Sequence, residues 1–190
     1  MMKMMKKNKA LMLAMAIGLP FIFAACLDTS VPTPDYNQDL ANELAVVDQT
    51  RLTADLAIID DSLDNEWQVT GVLTEPKGVR YTIETLGTGP KPVLASYIGV
   101  NYKGRLLTEG RAGDVFDQSP AGGVGLDLFR LIAGWRTVLP LIPQGSKVTL
   151  YIPSGLGYGI IDRKNGSGDI VIPKNSNLIF EIELLSVSGN

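Results

Sequence analysis

The sequence Leu131-Ile132-Ala133-Gly134-Trp135 forms an apolar corner around which the rest of the chain can be arranged. Two aliphatic residues, a glycine and a tryptophan precede a short run of helical character that Pro140 and Pro143 limit. An indole ring is large and costly to leave exposed, so at a helix start it can form the floor of a cavity. A lone tryptophan more often only packs in a core, and its surroundings must decide between these interpretations.

Segments on both sides of this corner alternate apolar and polar residues, as a strand with one covered face does. Gly104 interrupts one such segment and indicates a bulge or a close backbone approach. Residues 109–113 indicate a loop, after which Val115-Phe116-Asp117 resumes the sheet. Residues 160–170, which contain Asn165-Gly166-Ser167-Gly168, are also predicted to form a loop. The pattern predicts an α+β fold, in which an antiparallel sheet has one covered face and a single short helix packs against it. The inward-facing residues are, in chain order, Ile98, Val100, Tyr102 and Leu106, then Val148, Leu150 and Ile152, then Leu178, Phe180, Ile182 and Leu184.

The composition excludes several classes of chemistry. The chain has no histidine, which rules out a Ser-His-Asp or Cys-His arrangement and an imidazole metal ligand. Cys26 is the only cysteine, so there is no intrachain disulfide and no thiolate cluster. Four of the 17 Lys and Arg residues precede Cys26, which leaves 13 basic against 20 acidic residues, a net charge of −7, from Cys26 onward. This charge argues against a nucleic-acid partner. We expect any catalysis to use shape, hydrogen bonds and desolvation, without a metal or a cofactor.

Residues 1–25 have the plan of a secretory signal. A Lys-rich start precedes an apolar run from Ala10 to Phe23, which is shorter than the roughly 20 residues of a membrane-spanning helix and contains Pro20. Phe23-Ala24-Ala25-Cys26 resembles the lipobox of bacterial lipoproteins. The resemblance implies that Cys26 is lipidated and anchors the protein to a membrane of the bacterial cell envelope, with the domain outside the cytoplasm on the periplasmic or surface side. The alternative is an ordinary secreted protein with an incidental cysteine.

The rest of the N-terminal part divides into a flexible tether at residues 26–38 and an acidic helical segment at 39–66. Ten acidic residues and one basic residue, Arg51, lie between Leu27 and Glu66. The apolar stripe of this segment shifts between Val47 and Leu52, which predicts one bent helix or two short ones. We expect the stripe to pack on the following domain, residues 67–190, or on a second copy of the chain, which would give self-association. The stripe consists of Leu40, Leu44, Val47, Leu52, Leu56, Ile59 and Leu63.

Six short pieces of the sequence resemble those of the FKBP-type peptidyl-prolyl isomerases, in the family's order and at nearly its spacings. One such piece would be a weak signal, whereas six in order are a strong one. They span roughly residues 79–187, and the resemblance implies the family's fold, a curved antiparallel β-sheet wrapped around one short α-helix. The pieces are Val100-Asn101-Tyr102-Lys103-Gly104, Val115-Phe116-Asp117-Gln118-Ser119, Leu131-Ile132-Ala133-Gly134-Trp135, Ile152-Pro153 through Gly157-Tyr158-Gly159, Ile172-Pro173, and Leu178-Ile179-Phe180-Glu181-Ile182-Glu183-Leu184-Leu185.

The resemblance also implies a proline pocket. Trp135 would form its floor, and the Tyr158 hydroxyl and the Ile132 backbone N–H would bind the peptide, with Asp117 at the rim. Val124 and Leu156 stand where many relatives carry aromatic residues, which predicts a substrate site that is wider on one side. Taken singly, the apolar residues would be ordinary core, and only their joint order favours a site. The walls would be Tyr102, Phe116, Leu131, Ile132 and Phe180.

The function implied is peptidyl-prolyl cis-trans isomerisation of exported, proline-containing polypeptides that are unfolded or newly made. One alternative is a catalytically weak binding or chaperone module of the same fold on the cell envelope. Another is a structural lipoprotein whose acidic helix docks a partner. Every residue of the implied site lies after Tyr81, so we expect the segment 39–64 to be dispensable for activity.

Overall fold

The computed structural model of the chain describes residues 33–108 and 111–189. Residues 34–190 form one compact unit. Cys26 and the signal predicted at 1–25 lie outside the described residues. The helices are α1 (Tyr36–Ala45), α2 (Gln49–Asp61) and α3 (Ala133–Val138), with a π-helical turn at Ser62–Glu66 and 3₁₀ turns at Leu128–Arg130, Leu139–Leu141 and Ser154–Leu156. The strands are β1 (Leu73–Thr74), β2 (Arg80–Thr85), β3 (Tyr97–Thr108), β4 (Arg111–Gln118), β5 (Val124–Asp127), β6 (Lys147–Ile152), β7 (Arg163–Lys164), β8 (Ile170–Ile172) and β9 (Asn177–Ser188).

The main sheet is antiparallel and has the strand order β1-β2-β6-β9-β3-β4, with β5 also paired to β3. The long strands β3 and β9 lie side by side at its centre, with Gly104 opposite Phe180. The register of β3 against β4 shifts between Gly104 and Arg105, which confirms the irregularity predicted at this glycine. The α+β prediction, an antiparallel sheet with one short helix against it and a helical segment before it, is confirmed.

Helix α3 packs on the covered face of the sheet and is buried along most of its length. It begins at Ala133 and ends at Val138, after which Pro140 lies in a 3₁₀ turn, as a proline inside a helix would remove a backbone hydrogen bond. The covered face forms one core cluster in which Trp135 lies among the predicted inward residues of β3, β6 and β9. The alternation in the sequence thus assigned the faces of these strands correctly.

The helical segment consists of two helices, as the shift in its apolar stripe predicts. Asp35 accepts hydrogen bonds from the N–H groups of Asn37 and Gln38, and Asp48 caps the second helix in the same way. Helix α1 therefore begins at Tyr36, three residues before the range predicted for the segment, so the end of the predicted tether is helical. No helix among the described residues is long and apolar enough to cross a membrane.

The two halves of this segment contact opposite faces of the sheet. Leu40 of α1 belongs to the main core on the α3 side. Ile59 and Leu63 instead pack against Tyr151 and Ile179, which face away from that core. The stripe thus packs on the chain's own domain, one of the two arrangements that the sequence left open.

Two segments predicted as loops contain strands. Strands β3 and β4 continue to the pair Thr108 and Arg111, so residues 111–113 belong to the sheet rather than to a loop. Within the segment 160–170, Arg163 pairs with Ile172 in a small two-stranded sheet. Both strands of that small sheet are too short to show an alternating pattern, which is why the sequence did not reveal them.

Candidate active site

Two buried aromatic rings lie together at the base of the predicted site, Trp135, which was predicted as its floor, and Phe180, which was predicted as a wall. Trp135, in the first turn of α3, and Phe180, on β9, are each 4 % exposed, and their ring centroids lie 5.2 Å apart at an interplanar angle of 84°. Phe116 on β4 contacts Phe180 edge to face at 5.5 Å. Such edge-to-face pairs add to the stabilisation from burial and fix the orientation of each ring.

Gly104 allows this ring arrangement. A Cβ atom at this position would lie 2.7 Å from Phe116 Cζ and 2.7 Å from Phe180 Cε1, closer than van der Waals contact allows. The absence of a side chain on β3 therefore leaves the space in which the two phenyl rings meet. This is the close approach that the sequence pattern at Gly104 indicated.

The other predicted walls are half-buried side chains from three parts of the chain: Tyr102, Phe116, Leu131 and Ile132. Tyr102 contacts the Trp135 ring edge to face at 5.6 Å, and its hydroxyl donates a hydrogen bond of 2.8 Å to Asp117 Oδ2. Asp117 is exposed, as expected for a residue at the rim. All the apolar residues predicted for the site belong to or pack against one cluster: Tyr102, Phe116, Val124, Leu131, Ile132, Trp135, Leu156, Tyr158 and Phe180.

Two hydrogen-bond donors of the predicted site are unused by the described part of the chain. The Tyr158 hydroxyl has no hydrogen-bond partner there, although the Arg163 guanidinium lies 4.9 Å from its ring centroid. The backbone N–H of Ile132, the residue before α3, donates to no group of the described chain either. Both are available to a bound peptide carbonyl.

Both tyrosines are protonated at neutral pH, because their surroundings raise pKa values that are already well above 7 for an ordinary tyrosine. Burial raises the pKa of Tyr158, and the negative charge of Asp117 raises it further, although Arg163 opposes the shift. Burial also raises the pKa of Tyr102, together with its hydrogen bond to Asp117. The Tyr158 hydroxyl is therefore a neutral donor throughout the physiological pH range.

Val124 and Leu156 differ in their exposure. Val124 is half buried at the start of β5, at the edge of the cluster. Leu156 is 1 % exposed and lies within the core. It therefore shapes the site from behind and presents almost no surface to a ligand.

The site thus combines buried aromatic rings, two donors without partners in the described chain and one carboxylate at its rim. Comparison with known proteins shows the family of the chain: the model of the family described as FKBP-type peptidyl-prolyl cis-trans isomerase matches residues 89–185, just over half of the chain. The chain belongs to this FKBP family.

Proteins similar to this chain include a probable FKBP-type peptidyl-prolyl cis-trans isomerase FkpA of Neisseria meningitidis serogroup B, 37 % identical over 121 residues, and the outer membrane protein MIP of Legionella longbeachae, 35 % identical over 119 residues. These matches cover 63 % and 62 % of this chain but 41 % and 47 % of the relatives. The chain thus spans less than half the length of the curated relatives it matches.

Solved structures of similar proteins share the fold. A peptidyl-prolyl cis-trans isomerase of Pseudomonas syringae pv. tomato is similar with a TM-score of 0.60 and 33 % identity, over 74 % of this chain and 96 % of that one. FkpA of Escherichia coli is similar with a TM-score of 0.55 and 30 % identity, over 84 % of this chain and 74 % of that one.

One open hollow, of about 780 Å³, lies away from this FKBP site. It lies over side chains of β6 and β9 that point away from the core, among them Thr149 and Glu181, and Trp67 stands at its side. Polar and charged groups line most of it, and it shares only Tyr102 with the predicted site. Among the described residues there is no cluster of carboxylate or thiol groups that could hold a metal.

The sequence interpretation missed a buried carboxylate that lies outside the matched region and bonds to a residue within it. Asp55, in α2, is fully buried and bonds to Ser154, which lies 99 residues along the chain. A signal was present, since Asp55 stands within the apolar stripe between Leu52 and Ile59. A carboxylate at a position that should be buried indicates a specific partner.

Proposed function

We propose that the chain is a peptidyl-prolyl cis-trans isomerase that accelerates rotation about X–Pro bonds in exported, proline-containing polypeptides. The observation that supports this most is the pairing of the buried Trp135 and Phe180 floor with two unused donors, the Tyr158 hydroxyl and the Ile132 N–H. A prolyl ring is apolar and fits such a floor, while the carbonyls that flank it need donors.

Rotation about an X–Pro bond is slow because amide resonance must be broken, with an activation energy of about 20 kcal/mol. Resonance places negative charge on the carbonyl oxygen, and water stabilises that charge. An apolar hollow removes the water and so disfavours the planar, polarised amide relative to the twisted one. Hydrogen bonds from Tyr158 and Ile132 would hold the flanking peptide in a turn that favours the twist. A hundredfold acceleration needs only about 2.7 kcal/mol, so no nucleophile is required.

The test of this function is a protease-free assay of cis-to-trans conversion in a short X–Pro peptide. The proposal requires a rate above the uncatalysed one that rises in proportion to the protein concentration. If the protein instead bound unfolded, proline-containing chains without turnover, it would be the binding or chaperone module of the same fold.

The Tyr158→Phe variant should lose part of this activity without losing stability. The change removes only a hydroxyl that has no partner in the described chain, so the melting temperature should stay the same. If that hydroxyl binds the substrate, its loss costs about 0.5 to 1.5 kcal/mol, or roughly 2- to 13-fold in kcat/KM. The matched control is Tyr97→Phe, at an exposed tyrosine on β3 outside the site. Equal rates for wild type and Tyr158→Phe would remove Tyr158 from the proposal.

We also propose that Cys26 is lipidated and anchors the domain to the bacterial cell envelope outside the cytoplasm. The support is the sequence Phe23-Ala24-Ala25-Cys26 after an apolar run, and one relative is named an outer membrane protein. Intact-mass analysis of protein extracted from membranes should show an acyl mass on an N-terminal Cys26, and Cys26→Ser should release the protein from the membrane fraction. An unmodified Cys26 in the membrane-extracted protein would rule out the anchor. Self-association through residues 39–66 remains a prediction.

A further inference from the structure

Helix α2 is connected to the turn that carries Tyr158 through a fully buried carboxylate. Asp55 Oδ2 accepts a hydrogen bond of 2.9 Å from the Ser154 N–H and one of 2.5 Å from the Ser154 hydroxyl. The Ser154 carbonyl in turn accepts from the N–H groups of Gly157 and Gly159, at 3.0 and 2.9 Å. Gly157 and Gly159 are the residues on either side of Tyr158. The backbone on both sides of Tyr158 is therefore hydrogen-bonded to Ser154, and Ser154 is in turn bonded to Asp55.

Arg51, one helical turn before Asp55, provides a second connection. Its guanidinium forms an ion pair of 2.7 Å with Asp55 and donates a hydrogen bond of 2.8 Å to the Asn175 carbonyl. The Asn175 N–H donates to the Gly159 carbonyl at 2.7 Å. Asn175 has a φ of 60°, in the left-handed region that asparagine adopts more readily than most residues with a side chain. The backbone around Gly159 is thus connected to α2 from two directions.

This network is poorly explained as a source of stability alone. Burying a carboxylate costs several kcal/mol, and an apolar residue of similar size is often as stabilising as a buried ion pair. Asp55 lies on the face of the helix that carries the apolar stripe, whose members are leucine, isoleucine and valine. Asn177 Oδ1 also accepts a hydrogen bond from the Ser154 N–H, at 3.1 Å, so what a leucine could not provide is the acceptor for the Ser154 hydroxyl and the second acceptor for its N–H.

We propose that Asp55, supported by Arg51, is a positioning residue for Tyr158, so that the N-terminal helical segment is part of the isomerase site. The inference rests on the proposed function, because that function gives the Tyr158 hydroxyl a peptide substrate to bind. It reverses the expectation that residues 39–64 are dispensable for activity. Asp55 acts through Ser154 on the orientation of the Tyr158 hydroxyl and does not touch the substrate.

The test is a double-mutant cycle in the full chain with Asp55→Asn, Tyr158→Phe and the two combined. An asparagine at 55 keeps one acceptor but places an amide N–H₂ toward the Arg51 guanidinium, so the network cannot form as it does now. We expect Asp55→Asn to lower kcat/KM by at most about the 13-fold limit given for Tyr158→Phe, since it acts through that hydroxyl. The double variant should be no slower than Tyr158→Phe alone.

Asp60→Asn is the matched control. Asp60 lies on the same helix and also has an arginine partner, Arg80, at 2.8 and 2.9 Å, but it has no bond to the turn. This variant should keep the wild-type rate. If Asp55→Asn does not fold, Ser154→Ala replaces it in the cycle, because this change removes only the hydroxyl bond to Asp55.

A readout independent of activity separates this inference from the proposed function. Amide hydrogen exchange at Gly157 and Gly159 should be faster in Asp55→Asn than in the wild type and unchanged in Asp60→Asn. A wild type without any isomerase rate would overturn the proposed function, and the exchange rates would then still decide whether Asp55 orders the turn. Additive losses in the double variant, or unchanged exchange at both glycines, would overturn the positioning role.

Discussion

Phe180→Ala is expected to lower the free energy of unfolding by about 3 to 5 kcal/mol, the usual cost of removing a buried aromatic ring. The ring is the centre of the aromatic cluster, with Phe116 and Trp135 packed edge to face on it and Tyr102 at 6.3 Å. Its loss leaves a cavity, and three rings lose their common neighbour. The isomerase rate should fall with it even where the variant is folded, because the floor and two walls can then reorient.

Ile179→Ala is the control that separates the two effects. Ile179 is the preceding residue of β9, is similarly buried and packs on the opposite face of the sheet, against Ile59 and Tyr151. Its truncation should also cost about 2 to 5 kcal/mol, but without disturbing the site. Denaturant unfolding should show a loss of stability in both variants. The isomerase assay, under conditions where both variants are folded, should show a loss of activity in Phe180→Ala only. Equal activities in the two folded variants would mean that the Phe180 ring is not part of the site.

The sequence revealed those parts of the fold that depend on local periodicity. Alternation of apolar and polar residues along β3, β6 and β9 was enough to assign their faces, because successive side chains of any strand point to opposite faces of the sheet. Gly104 was recognised as irregular for the same reason, since a strand position without a side chain indicates a close neighbour. Only the structure identifies that neighbour as the pair of rings of Phe116 and Phe180.

What the sequence did not reveal depends on contacts between distant residues. The early start of α1 at Tyr36 follows from one capping side chain, Asp35, next to Pro34, in a stretch whose composition indicated a tether. The bond from Asp55 to Ser154 joins residues that no local pattern connects. An acidic helix with an apolar stripe predicts that the helix packs on something, but the partner depends on tertiary structure.

The site itself was predicted from resemblance and not from physics. Leu131, Ile132 and Phe180 are ordinary core residues by type, and only the order of the six pieces suggested a pocket. The structure adds what the resemblance could not provide: Leu156 lies within the core, and Ser154, four residues before Tyr158, is bonded to Asp55 of α2. Asp55 lies outside the region that matches the family, so only the contacts in the structure reveal its bond to Ser154.

Trp135→Leu should give the largest loss of isomerase activity among single changes that keep an apolar floor. A leucine is smaller than an indole and leaves space beneath the prolyl ring, a misfit that costs about 1 to 3 kcal/mol in the transition state, or roughly 5- to 150-fold in kcat/KM. The stability loss should be at the low end for a buried tryptophan, about 2 to 3 kcal/mol. One reason is that the Trp135 Nε1–H is buried without a partner, and a leucine removes that unsatisfied donor.

The chain provides a control, because Trp67 is its only other tryptophan. Trp67 packs on Tyr151 at 5.9 Å, on the face of the sheet away from α3. Trp67→Leu should keep the wild-type kcat/KM and leave Trp135 as the sole indole, whose fluorescence should change when an X–Pro peptide binds. Trp135→Leu should show no such change, because Trp67 lies outside the site. If the peptide altered the emission of Trp135→Leu and not that of Trp67→Leu, the peptide would bind on the other face of the sheet, and the floor assigned to Trp135 would be wrong.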